Sequence, residues 1–480
     1  MNTSRQRILI VLHETGYFRF YGSTILELAR RGWDVKLAFD RPDKRGRPGI
    51  PEHAPRDVVS LGALPEVPER WISTLRSALD YCRYLEAPFR DATYLRRRWE
   101  KTLPSRFEFL TRIPRLPRAI VGLLIRSMRG LEQLVPANPQ IARFVRAVEA
   151  DVVLVSPLVT PGNSGERQTE VVKAARAQRL PVIVGVASWD HLTSKGLVRV
   201  VPDALMVWND AQVREAVDLH RLSPSKVVVT GAQSLDHWFT PAHARAIEAF
   251  RARLAISPGR RVILYVGSSR NMAPDESEVR FVRRWVGALR ASASPELRDA
   301  AVIVRPHPGN VDPWRDNPVP GVVVYPTSYS GIPMTDEEIE TFRHSLLISD
   351  AVVGINTTAM IEAAILERPV LTVKDDEFVR SQGETLHFGH LLIEAGGCAH
   401  LATTLEMHVA QLERVLRDPA ESLDAARRFV RRFVRPLGVR DAATHHVCDV
   451  IARVAQRQAI ATHAAGTADK DLVPRGRTAS

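Results

Sequence analysis

The sequence predicts an α/β protein built as two Rossmann-like domains facing across a cleft, the first carrying a basic helical insertion. Three observations predict it. Short apolar runs recur, each followed by a small or polar cluster and then by a stretch with helical spacing, the pattern of βα units in a parallel sheet. The 480 residues are enough for two or three domains of ordinary size. The runs also fall into two series, separated by a turn-rich stretch around Thr230–Arg251 that contains Gly231 and Pro241.

The first series offers strands at Ile8–Leu12, Asp34–Phe39, Val152–Val155, Val182–Val186, Ala204–Val207 and Val227–Val229. Its opening unit is the clearest. Ile8–Leu12 runs into a turn at Thr15-Gly16, then a helix over Ser23–Arg31 with Ile25, Leu26 and Leu28 as apolar positions, stopped by Gly32. The second series offers Val262–Val266, Val302–Val304, Val322–Tyr325, Ala351–Ile355 and Val370–Val373. The expected organisation is a first domain over 1–235 with the insertion at 71–150, a second over 236–460, and a polar, disordered tail over 461–480. Within the tail, Leu472-Val473-Pro474-Arg475-Gly476 resembles a protease site appended for expression, so the tail is set aside.

Composition narrows the class. Hydrophobic residues at 45% and charged residues at 25% describe a globular protein and exclude a fibre, a disordered chain or an integral membrane bundle. Ile8–Leu12 is too short for a signal-peptide core. Cys82, Cys398 and Cys448 are too few and too scattered for a disulfide framework or a zinc site, which fits a reducing compartment. The expected location is the cytoplasm, with the inner face of the cytoplasmic membrane as its peripheral variant.

In open parallel sheets ligands bind beyond the carboxyl ends of the strands, so residues directly after each strand are the site candidates. In the first half these are His13, Glu14, Asp190 and His191. In the second they are Ser268, Ser269, Arg270, Arg305, His307, Asn356, Thr357 and Thr358. The last three stand at a helix start, where free N–H groups and the helix dipole favour a phosphate. Glu362, about one turn further on, is placed to accept hydrogen bonds from a ribose diol. Gln382, Thr385 and His387 belong to a loop after the last strand of the second half that is expected to close over the ligand as a lid.

Four stretches carry a family resemblance. Ser349-Asp350, Asn356-Thr357-Thr358, Glu362-Ala363 and Arg368-Pro369-Val370, in that order, resemble the donor site of capsule Kdo transferases and CDP-glycerol glycerophosphotransferases, members of the GT-B glycosyltransferases. Val304-Arg305-Pro306-His307-Pro308 resembles the His-Pro motif of capsule and sialyltransferase families, in which the histidine contacts the donor phosphate or nucleotide. Val228–Phe239 is similar to the segment that opens the donor domain in many GT-B enzymes, and Ser188–Gly196 to a segment of uncharacterised GT-B-like bacterial proteins.

The resemblance implies a metal-independent glycosyltransferase that takes a nucleotide-sugar as co-substrate, with no cofactor and no metal site, and moves its sugar to a bacterial surface-glycan or lipid-linked acceptor. Retaining enzymes of the common kind carry a second glutamate eight positions before the one matching Glu362. That position is Gly354 here, so the resemblance implies inversion. No Asp-x-Asp occurs between residues 1 and 460. Arg270, Arg305, His307 and the helix start at Thr357-Thr358 are then the groups to neutralise the leaving nucleotide. An inverting transfer needs a base from the acceptor half, for which the order is Asp190, then His13 and Glu14. The alternatives are a nucleotide-sugar epimerase of the same fold, a CDP-polyol phosphate transferase, and a nucleotide-sugar-binding scaffold without turnover.

The chain carries 66 basic against 54 acidic residues, a net +12. Residues 71–150 hold 15 Arg/Lys against 7 Asp/Glu, among Trp71, Tyr94, Trp99, Phe107 and Phe109. This segment reads either as a surface for an anionic membrane that presents a lipid-linked acceptor, or as an amphipathic insertion with solvated arginines. No nucleic-acid motif accompanies the charge, so no nucleic-acid partner is expected.

Overall fold

The computed structural model describes residues 5–42, 50, 54–68, 71–159, 166–274, 276–331 and 334–470, with side chains up to 457. Thirteen strands form two wholly parallel sheets among these residues. The first contains β1 (Arg7–Leu12), β2 (Asp34–Phe39), β3 (Val58–Ala63), β4 (Val152–Ser156), β5 (Val182–Gly185), β6 (Ala204–Val207) and β7 (Val227–Val229), in the order β3-β2-β1-β4-β5-β6-β7. The second contains β8 (Val262–Val266), β9 (Ala301–Arg305), β10 (Val322–Val324), β11 (Ala351–Gly354), β12 (Val370–Val373) and β13 (Ala399–Ala402), in the order β10-β9-β8-β11-β12-β13.

The central strands are mostly apolar and buried, as expected where helices cover both faces of a parallel sheet. Ile8, Leu9, Ile10, Val11 and Leu12 are all buried, the odd positions joining one core cluster and the even positions the other. Strand order reverses between β1 and β4 in the first sheet and between β8 and β11 in the second. Such reversal points open a crevice at the carboxyl ends of the strands. At the second one, Gly267 is required by close approach: a Cβ there would lie 2.9 Å from the backbone N of His307. At Gly354 a Cβ would lie 2.9 Å from both Met360 Cγ and Val266 Cγ2.

Between β3 and β4 the chain forms helices Trp71–Arg83, Thr93–Glu100, Arg118–Leu134 and Pro139–Val148. The chain ends differently from the expectation. Helix Ala443–Lys470 packs Val447, Cys448, Val450 and Ile451 into the core beside Ile25 and Leu28 of the first domain, so 443–457 lies with the first sheet and not with the second. The helical backbone also runs through 461–470, where a disordered tail is expected, while 471–480 lies outside the described residues. Asp236 pins the crossing: it accepts from Arg435 and from the backbone N and hydroxyl of Thr444.

Candidate functional site

A cavity of about 430 Å³ lies between the two sheets, walled from both sides. The first domain contributes Tyr17, Arg19, Ser188, Asp190, His191 and Lys195; the second contributes Gly267, Arg305, His307, Tyr329, Phe342, Thr357, Thr358 and Glu362. The connecting segment adds Ser234, His237 and Trp238.

On the first wall, Asp190 starts the short helix His191–Ser194. Its two carboxylate oxygens accept from Ser188 Oγ at 2.6 Å and Ser194 Oγ at 2.8 Å. Burial opposes its ionisation, but the charges of His191, Lys195 and His387 and the Ser188 hydroxyl outweigh it and hold the carboxyl far below the usual range. His191 stacks on Tyr17, and burial pushes its imidazole down to about 4, so the ring is neutral at physiological pH. Its Nδ1 is buried without a partner among the described residues. No hydrogen bond or ion pair engages the side chains of Arg19 or Lys195 among the described residues, which leaves two cations to meet an anion in the cavity.

The Ser188–Gly196 loop is braced by the helical insertion. Arg83 donates to Leu192 O at 3.1 Å and also to Lys195 O, Tyr84 Oη donates to Lys195 O at 2.7 Å, and Trp99 Nε1 donates to Ser194 O at 3.3 Å. The loop's shape is thus set by residues about 100 positions earlier in the chain.

On the second wall, Thr357 caps helix Thr358–Ile365 in extended conformation without spending its hydroxyl on the cap. The Thr358 hydroxyl accepts from Trp189 Nε1 at 3.1 Å across the interdomain boundary. His307 Nδ1 accepts from Gly309 N at 3.0 Å, so the neutral ring carries its proton on Nε2. Burial, with the charge of Arg19, lowers its pKa to about 4. Glu362 is shifted the other way: burial raises its carboxyl to about 7, against the pull of the Trp238 indole and Arg19.

Asp190, His191, Arg305, His307, Thr357, Thr358 and Glu362 therefore meet in one cavity, and the remaining candidates lie elsewhere. His13 does not line it; its Nδ1 faces Asp40 Oδ2 at 3.3 Å, the partly buried end of β1 leaning on the end of β2. Glu14 is exposed and outside the lining. The Ser268 backbone N donates to Glu278 at 2.8 Å, Ser269 accepts through its carbonyl from Met272 and Ala273, and Arg270 points to solvent. None of the three lines the cavity.

Asn356 is buried under the next loop, donating to Ser381 O. The expected lid also differs. Gln382 donates to Val373 O at 3.0 Å and Thr385 to Ser381 O at 3.0 Å, both within the second domain, while His387 packs edge-on against Trp189 near Thr193 of the first, so the three buried side chains are structural and lie outside the cavity lining. Arg305 lines the cavity, yet its guanidinium donates to Glu338 O at 2.7 Å, Thr341 Oγ1 and Ser345 Oγ and lies against Phe342. It braces helix Asp336–Leu347 more than it offers charge to a ligand.

Arg19, Lys195 and Trp238 are the residues that reading the strand ends missed. Arg19 lies three positions past the Thr15-Gly16 turn, in the first turn of helix Phe18–Arg30. Trp238 falls in the segment taken only as a boundary. Among the described residues, no group of three or more His, Cys, Asp or Glu side chains is arranged to hold a metal ion.

No family model matches the chain, and no curated protein matches it in sequence. Solved structures do match. A glycosyltransferase from Rickettsia africae ESF-5 is similar with a TM-score of 0.51 at 10% identity, covering 94% of this chain and 99% of that one. A UDP-GlcNAc 2-epimerase from Neisseria meningitidis bound to UDP-GlcNAc has a TM-score of 0.48 at 14% identity, covering 93% and 99%. WaaG, a glycosyltransferase involved in lipopolysaccharide biosynthesis, has a TM-score of 0.47 at 12% identity, covering 92% and 99%. At such identities the likeness is one of fold. With two parallel α/β domains and a cavity between the carboxyl ends of their sheets, this chain has the GT-B fold of glycosyltransferases.

Proposed function

We propose that the protein transfers a sugar, with inversion, from a nucleotide-sugar to a surface-glycan or lipid-linked acceptor. The observation that carries this reading is the cavity itself, in which Arg19, Lys195 and the Asp190 carboxylate on the first wall face the His307 N–H and the helix N-terminus at Thr357 on the second. The cations and N–H groups suit the diphosphate of a donor, stabilising charge as the leaving group departs without a metal ion. The Glu362 carboxylate accepts hydrogen bonds from a ribose diol. Asp190, on the opposite wall, takes the proton of the attacking hydroxyl.

A thermal-shift panel of CMP, CDP, UDP, GDP and their sugar conjugates is the first test, because a ligand bound to the native state raises its melting point. One nucleotide family should shift the protein, and Arg19→Ala should weaken that shift. Nucleotide release should depend on an added acceptor. Release or sugar isomerisation without an acceptor would replace transfer with hydrolysis or epimerisation, and no shift from any nucleotide would refute the reading.

Glu362 adds a pH test. Its folded pKa of about 7 exceeds the ordinary carboxylate value of 4.5. The group is therefore neutral to stability below about pH 4.5, and ionisation costs stability as pH rises through about 7, at most about 3 kcal/mol by linkage. Glu362→Gln should raise the unliganded melting point at pH 8 while leaving it nearly unchanged at pH 4.5. The same variant should lose most of the nucleotide-induced shift.

A further inference from the structure

Helix Arg118–Leu134 is apolar on two faces. One face is buried: Val121, Ile125 and Met128 pack against Ile72 and Leu79 of helix Trp71–Arg83. The other points outward with Ile120 at 45%, Leu123 at 57%, Leu124 at 39% and Leu134 at 82% exposure, and Phe109 and Trp71, also more than half exposed, belong to neighbouring elements of the same insertion. Spacings of three and four residues place Ile120, Leu123 and Leu124 on one side of the helix. Six large apolar side chains exposed on one small insertion mark an interaction surface. The same stretch of chain exposes Arg106, Arg112, Arg115, Arg118 and Arg126 against the single exposed acid Glu108. Of these, Arg118 is paired, with Asp218 at 2.9 Å.

We infer that this outer face docks on the surface of an anionic lipid bilayer, its leucines and isoleucine entering the headgroup boundary and its arginines meeting lipid phosphates. Charge complementarity selects this occupant. A second copy placed symmetrically on the patch would oppose arginine to arginine, whereas an anionic lipid surface satisfies these arginines. The helix lies on the bilayer rather than through it, since no described helix is long and apolar enough to cross one.

The inference deepens the proposed transfer to a lipid-linked acceptor and rests on that reading. The insertion that carries the patch also carries Arg83, Tyr84 and Trp99, which clasp the loop holding Asp190. Docking and the acceptor-side wall of the cavity thus belong to one packed body.

Co-sedimentation of the full chain with vesicles tests it. The protein should pellet with phosphatidylcholine–phosphatidylglycerol vesicles, stay in solution with phosphatidylcholine alone, and be released by added salt. Combining Ile120→Ser, Leu123→Ser and Leu124→Ser should weaken vesicle binding about tenfold or more. The melting point and the nucleotide-induced shift, both measured without vesicles, should be unchanged. Combining Arg115→Glu with Arg126→Glu should weaken binding to anionic vesicles in the same way. Undiminished pelleting of both variants, or a parental dimer that the serine variant dissolves, overturns the docking inference. A parental protein that pellets as expected but answers to no nucleotide leaves the surface standing and removes the transferase reading.

Discussion

Arg76→Ala is expected to cost about 3–5 kcal/mol of folding stability, the usual penalty for removing one partner from a buried charge cluster. Arg76 is 1% exposed and donates from Nε to Glu132 at 2.5 Å, from one terminal nitrogen to Glu170 at 3.0 Å, and from the other to Glu166. Lys173 contributes the other cation, 2.8 Å from Glu132. The cluster ties helices Trp71–Arg83 and Arg118–Leu134 of the insertion to helix Glu166–Ala177 of the first domain. Without the guanidinium, three buried carboxylates would face a single ammonium.

The sign of the pH dependence follows from Glu132. Burial would raise its pKa, but Arg76 and Lys173 outweigh burial and hold it below the ordinary value of 4.5. Its stabilising contribution is present above about pH 4.5 and fades as pH falls through the depressed folded value. The variant's deficit should therefore be largest near pH 7 and shrink on acidification, as its unpaired acids take up protons. Urea unfolding near pH 7 and at about pH 4.5 measures this. A deficit under about 1 kcal/mol at pH 7 would mean that the cluster is solvated and the insertion only loosely held. Because the insertion clasps Leu192, Ser194 and Lys195, the variant should also lose turnover at temperatures where it remains folded.

The two-domain architecture was legible because parallel strands buried on both faces leave uninterrupted apolar runs. The two strands that sequence reading missed break that rule. β3 is an edge strand, largely solvent-facing, with Ser60 and Gly62 in it, and β13 reads Ala-His-Leu-Ala. The cavity lining was legible where side chains come soon after strand ends, as with Asp190, His307 and Thr357. It was not legible where similar polar residues in the same position serve as buttresses. His13 leans on Asp40 and Asn356 holds Ser381, and a one-dimensional pattern cannot distinguish a group aimed into a cleft from one aimed at the next loop. Arg19 and Trp238 reach the cavity only because of how the domains face each other, which periodicity does not encode.

Asp190→Asn should lower turnover at least about 100-fold, the scale of a lost general base, while leaving the nucleotide-induced thermal shift intact. Asparagine keeps a carbonyl for one of the two serine hydroxyls but has no lone pair basic enough to take a proton. The pH profile separates this role from simple packing. The Asp190 carboxyl is held far below the usual range, so it stays ionised across the working range and contributes no acid limb. The limb of kcat/KM on the acid side should fall near pH 7, where Glu362 titrates in the free enzyme, and should vanish in Glu362→Gln. Unchanged turnover in Asp190→Asn would move the proton transfer to the neighbouring neutral His191, whose unpartnered Nδ1 lies beside the same cavity. In that case the acid limb would persist in Glu362→Gln at the lower pKa of about 4 that His191 carries.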